Sequence, residues 1–145
     1  MSNRPTLFTV VRGALLASLL SAGFWAQPLA GQASRASRTI RDGVYTESQA
    51  ERGGQRFRIS CSSCHTPTYF SGGAFAERWN GQTMGEVFDF VSNAMPENDP
   101  GGLKPDDYAS VLAFFLSINK YPAGTDELPD RTEALKQIAI DSPSK

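Results

Sequence analysis

Cys61-Ser62-Ser63-Cys64-His65 decides how the rest of this 145-residue chain is read. Two cysteines three residues apart, followed at once by a histidine, form the attachment signature of a c-type haem. The spacing has a chemical reason. Two thiols on one turn of chain reach the two vinyl groups along one porphyrin edge, and the next residue offers its imidazole to the iron as proximal ligand. The chain holds 2 Cys and 1 His, so this one motif uses its whole supply of thiol and imidazole. The expected cofactor is a single covalent haem c, attached at Cys61 and Cys64 with His65 on the iron.

Three other chemistries share parts of the pattern. A dithiol redox pair needs a βαβ context, and no strand alternation surrounds the motif. A structural zinc site needs four ligands; Cys61, Cys64 and His65 supply three, leaving a carboxylate to be the fourth. A surface disulfide beside an unrelated histidine is the plainest alternative.

Upstream of the motif a helix is expected from Thr46, with Gln49 three residues on to complete a capping box. Ala50, Gly53, Gly54 and Phe57 recur at helical spacing and lead into Cys61. Two adjacent glycines inside a helix cost about 1 kcal/mol each relative to alanine. They mark either a close approach of another backbone or a break in the helix.

Downstream, residues 66–73 read as a Pro- and Gly-rich loop, residues 74–79 as a short helical turn, and Asn80-Gly81 as the turn that closes it. Thr83 and Glu86 form a capping box for a helix over 83–93, in which Met84, Val87, Phe88 and Val91 make an apolar stripe. Met95 follows, and Pro96 holds it out of the helical region. A thioether on a proline-stiffened loop suits a distal ligand, whereas Met84 belongs to a stripe that core packing explains. Met95 is therefore the expected sixth ligand. Ligation by two histidines is excluded within this chain, since His65 has no second.

Pro105, Asp106 and Asp107 open the last major helix, where proline suits the first position and carboxylates complement the dipole. Tyr108, Val111, Leu112 and Phe115 form its apolar stripe, with Phe114 and Ile118 beside it, and it should stop near Asn119. Residues 121–128 read as loop, and 131–140 as a short helix placing Leu135 and Ile138 against the body. The fold class is all-α, with no internal repeat.

The termini and the charge balance set the context. Residues 1–33 read as a secretory signal, with Arg4 and Arg12 before an apolar run over 13–26 and small residues for cleavage after Ala33. That run is shorter than the ~20 residues of a spanning helix, though an uncleaved leader would leave it as a membrane anchor. Residues 34–43 read as a loose lead-in, 44–140 as the folded domain and 141–145 as a disordered tail. Of the 14 Lys and Arg, Arg4 and Arg12 lie in the leader, leaving twelve against 15 Asp and Glu. No basic stripe points to nucleic acid. Export, to a periplasm or its equivalent, agrees with the motif because haem is joined to such a sequence outside the cytoplasm.

Beyond the motif, Val44-Tyr45-Thr46-Glu47, Gly53-x-x-x-Phe57, Glu77-Arg78-Trp79-x-Gly81-x-Thr83, Met95-Pro96-Glu97-Asn98-Asp99-Pro100-Gly101 and the run from Tyr108 to Leu116 follow in an ordered series. In that order and spacing, residues 44–140 resemble class I c-type cytochromes, and more narrowly the small cytochrome c domain associated with quinoprotein alcohol dehydrogenases. The resemblance implies about three to five helices around one haem, with first and last helices crossing where Gly53, Phe57 and Phe114 pack. It also implies His65 and Met95 as axial ligands on opposite haem faces. One departure stands out: the family often follows its motif with a segment whose proline carbonyl orients the proximal imidazole, and here only Pro67 is near.

Ligation by His65 and Met95 fills both axial positions, so the expected role is one-electron transfer rather than catalysis. An apolar shell from Phe57, Phe88, Phe114 and Phe115 is expected, with the haem propionates near Arg78 or Trp79, although Trp79 is equally explained as core. Glu97, Asp99, Asp106 and Asp107 either steer a basic partner or form an ordinary solvated face. Expected partners are redox proteins, whether a dehydrogenase, an oxidase or another cytochrome. The alternative is a haem-based gas sensor or peroxidase-like enzyme with a labile Met95.

Overall fold

The structure is a computed structural model and describes residues 38–141. Its described part is mostly helical, as expected of an all-α chain. The expected signal and anchor in residues 1–33, the first part of the lead-in and the last four residues lie outside the described residues. Among the described residues no helix is long and apolar enough to cross a membrane.

Helix α1 spans Glu47–Ser60, and Thr46 caps it by accepting from the Gln49 backbone N–H at 3.1 Å. The expected capping box is only half formed. The fully buried Gln49 side chain turns instead to Leu128, donating to its carbonyl at 2.9 Å and accepting from its N–H at 2.7 Å. A buried amide satisfied on both sides outweighs the second half of a cap. A 3-10 turn at Pro67–Phe70 follows the motif, then α2 over Gly73–Trp79 and a turn at Gly81 with φ of 84°. Helix α3, Met84–Ala94, starts with the full capping box of Thr83 and Glu86. Helix α4 runs Pro105–Ile118, with Pro105 at its start and Asp106 and Asp107 in its first turn.

The α1–α4 crossing is the most extensive contact between elements. A Cβ placed on Gly53 would lie 1.8 Å from the Ser110 carbonyl oxygen, so only glycine lets the two backbones meet there. Gly54 faces side chains alone, the Phe114 ring 3.3 Å from where its Cβ would be and Arg58 Nη1 at 3.9 Å. The glycines therefore mark a close crossing and not a break. Phe57 packs beside it, its ring 5.5 Å from Phe114 and 5.9 Å from Phe115. Arg56 and Asp107 add a half-buried ion pair at 2.9 Å across the same interface.

Two expectations at the chain ends need correction. Residues 38–43, read as part of a loose lead-in, are ordered: Arg38–Thr39 forms strand β1, and Ile40 is fully buried. Residues 131–140 are helical only over Thr132–Leu135 (α5) and then extend as strand β2, Ile138–Ala139, parallel to β1. Ile140 is further tied to the turn before α3, exchanging hydrogen bonds with Gly81 at 2.9 Å and Gln82 at 2.8 Å. Leu135 and Ile138 are buried as expected. Pairing between residues a hundred positions apart leaves no local periodicity to read, and two-residue strands are too short to alternate.

Candidate functional site

The motif is built as an extension of α1. Cys61 N–H and Ser62 N–H both donate to the Phe57 carbonyl, at 2.9 and 3.0 Å. The Cys61 carbonyl then accepts from Cys64 at 3.1 Å and from His65 at 2.9 Å. Two tight turns in series thus fix both thiols and the imidazole relative to the helix. Cys61 is half-buried and Cys64 exposed, and both thiols are free, so no disulfide links them. Burial pushes the Cys61 thiol pKa up, partly opposed by the nearby Arg56 guanidinium.

Cys61, Cys64 and His65 line one cavity of about 660 Å³, inside the range typical of small-molecule and cofactor sites. Met95, thirty residues further on, lines the same cavity, as do Phe57, Arg78 and Trp79. The expected attachment, ligand and propionate-side residues are thus all brought to this one hollow. Met84 is not: it is buried in the core, as its place on the α3 stripe indicated. Met95 caps the end of α3 in extended conformation, φ −129° and ψ 151°.

The walls are mainly apolar and differ in part from the expected shell. Phe57 and Phe115 line the cavity, but Phe88 and Phe114 do not. Phe88 turns inward, its ring 6.2 Å from Tyr108, and Phe114 lies over Gly54, behind the cavity-lining Phe57 at 5.5 Å. Phe70, Phe90 and Val91 complete the wall in their place. Phe70 stacks on Phe115 at 4.3 Å, nearly parallel at 10°. Phe90 is 51 % exposed, and an aromatic left off the buried stripe of a helix was the available signal for it. Tyr69 and Phe70 follow the motif so closely that their position marked them, although no periodicity did.

The His65 ring lies 5.6 Å from Tyr69 in a stacked arrangement and 5.4 Å from Phe70 edge-on. Among the described residues no hydrogen bond joins the His65 ring to the Pro67 carbonyl. Arg78 sits at the rim, its guanidinium 4.3 Å over the Tyr69 ring and its Nη2 donating to the Tyr69 hydroxyl at 2.6 Å. Trp79 is 7 % exposed and packs on Phe90 at 5.7 Å, so it serves the core and the cavity wall together. Glu97 is the rim's acidic group. Of the other acidic residues considered for steering, Asp107 is already engaged by Arg56.

Among the described residues no three His, Cys, Asp or Glu side chains converge as a bare metal ion would require. That counts against the zinc alternative, which needs Cys61, Cys64 and His65 to converge on one ion with a fourth ligand. No family model, curated protein or solved structure matches this chain.

Proposed function

We propose that this chain is a class I c-type cytochrome, an exported one-electron carrier with a single covalent haem c. One observation carries the reading: both cysteines, the only histidine and Met95 line a single, mainly apolar cavity of about 660 Å³. The donor set fits the group. Two thiols on one turn serve a porphyrin edge, an imidazole and a thioether serve the iron, and aromatic walls serve the macrocycle.

Bound in such a site, haem supplies a one-electron ferric–ferrous couple whose potential a methionine ligand raises. The protein's part is to hold and shield. Cys61 and Cys64 would hold the haem through thioethers, and His65 and Met95 would supply the iron's remaining two ligands, leaving no site for a substrate. Phe57, Phe70, Val91 and Phe115 exclude water from the interior. Arg78 presents a cation at the rim, where propionate carboxylates would meet solvent, with Trp79 beside it. Redox-protein partners would meet the group at the exposed side of the motif, where Cys64 is open to solvent.

The test is an absorption spectrum of the protein matured in a periplasm with haem-attachment machinery, for wild type and Met95→Leu. Oxidised wild type is expected to show the weak far-red band of methionine-to-iron charge transfer. The substitution removes that band and lets carbon monoxide bind the reduced protein. A wild type that lacks the band and binds carbon monoxide directly would replace the carrier with the sensor or peroxidase-like enzyme. Absence of covalent haem would overturn the assignment of Cys61, Cys64 and His65.

A further inference from the structure

Helix α4 carries a stripe whose members do two different things. Val111 and Phe115 face the cavity. Tyr108, one turn before Val111, is 3 % exposed, and its hydroxyl donates to the Met95 carbonyl at 2.6 Å while accepting from the Leu103 N–H at 3.4 Å. Asn119, one turn after Phe115, caps the other end. Its Nδ2 donates to the Phe70 carbonyl at 2.8 Å, and its Oδ1 accepts from the Gly72 N–H at 2.8 Å. The same amide also bonds the Phe115 carbonyl of its own helix at 2.8 Å, which fixes its direction.

We infer that α4 is the spacer that sets the position of the two axial ligands relative to each other, with Tyr108 pinning the Met95 loop and Asn119 pinning the loop after His65. Eleven residues of helix hold the two pins about 16 Å apart, and a helix resists compression far better than either loop. On the proximal side the His65 imidazole lies against residues that this arrangement holds. Its ring rests on Tyr69 and Phe70, and Phe70 is held by Asn119 below and by Phe115 in face-to-face contact. On the distal side the hydroxyl of Tyr108 ties down the backbone of the ligand residue itself. Tyr108 and Asn119 are thus positioning residues, acting through Met95 and Phe70. The inference rests on the haem reading above.

Haem-loaded wild type, Tyr108→Phe and Asn119→Ala are compared, with Gln49→Leu as a control that loses a buried clamp to Leu128, a residue of neither loop. Tyr108→Phe keeps the ring and the fold while removing both hydrogen bonds of the hydroxyl, of which the one to the Met95 carbonyl is worth about a five- to tenfold change in an equilibrium. Carbon monoxide should then displace Met95 from the reduced protein about that much more readily, and the Leu103 amide should exchange faster with solvent. Asn119→Ala should leave carbon monoxide binding nearer to wild type and shift the paramagnetic proton resonances of the His65 ring. Gln49→Leu should lower the melting temperature and move neither readout. If both pin variants match wild type, or change only in step with the control, the inference fails while the haem reading stands. If wild type carries no covalent haem, both fall together.

Discussion

Cys61 and Cys64 share a motif but not an environment. Cys61 closes α1, half-buried, with its thiol pKa raised by desolvation, whereas Cys64 stands in solvent on the next turn. Alkylation needs the thiolate and access to it. Before haem is attached, iodoacetamide in mildly alkaline buffer should therefore modify Cys64 well ahead of Cys61, as read by peptide mass spectrometry. Equal rates would show that Cys61 is not held at the end of the helix. The same scale shows what a motif leaves out. The five residues from Cys61 to His65 carry the proposed chemistry and cofactor, but Phe70 reaches the cavity wall, and Tyr108 the Met95 backbone, through contacts that no spacing rule encodes. Met95 was legible because Pro96 constrains it locally. Asn119 was not, since its partners lie forty-seven to forty-nine positions earlier.

At the scale of elements, Gly53 and Gly54 look alike in sequence and differ in the crossing they serve. Gly53→Ala drives a methyl into the Ser110 carbonyl, a backbone atom that moves only if α1 and α4 separate. A loss of about 3 kcal/mol or more follows, at or beyond the upper end of ordinary overpacking. Gly54→Ala meets only the edge of the half-buried Phe114 ring, which can shift by a few tenths of an ångström. There the gain in helix propensity, about 1 kcal/mol, offsets the contact and leaves stability nearly unchanged. Chemical denaturation of the two variants separates these outcomes, and equal losses would mean that α1 does not cross α4 at Gly53. Most element boundaries were readable because their signals are local: Thr46 and Thr83 as caps, Pro105 at a helix start, Gly81 in a turn. Phe88 and Phe114 were misassigned to the cavity wall for the opposite reason. Periodicity says that a face is buried, not which neighbour buries it.

At the scale of the molecule, the chain after α4 works as a strap. It runs from Tyr121 through Leu128, held by Gln49, to α5 and β2, and so closes the body against β1 and the turn before α3. Tyr45 anchors the start of that strap, its hydroxyl donating to the Tyr121 carbonyl at 2.7 Å. Burial, with a smaller contribution from Glu47, raises its pKa above the ordinary value. The folded chain therefore keeps a proton that the unfolded chain releases above about pH 10. Tyr45's contribution is fully present below that pH and is lost as the pH climbs from the unfolded value through the raised folded one. Tyr45→Phe should cost about 1 kcal/mol at neutral pH through the lost hydrogen bond. The deficit should shrink in strongly alkaline buffer, where the wild type loses stability and the variant is spared that loss. A deficit constant with pH, followed by thermal unfolding, would show that Tyr45 is not buried when the chain is folded.

The positions of α1, α3 and α4, the Thr83 cap, the core stripe of α4 and the set of haem-binding candidates were determined by neighbours within a few residues, which is the range over which hydrogen-bonded turns and helical periodicity act. Those features could be read along the chain. Long-range packing alone decided that Gly53 meets Ser110, that residues 38–43 pair with the chain's far end, and that Phe70 and Phe90 wall the cavity. It also decided that Tyr108 and Asn119 secure the two loops that bear Met95 and follow His65. Each of those contacts joins segments that carry no mark of one another, because burial rewards any complementary surface and only the folded chain shows which one was met.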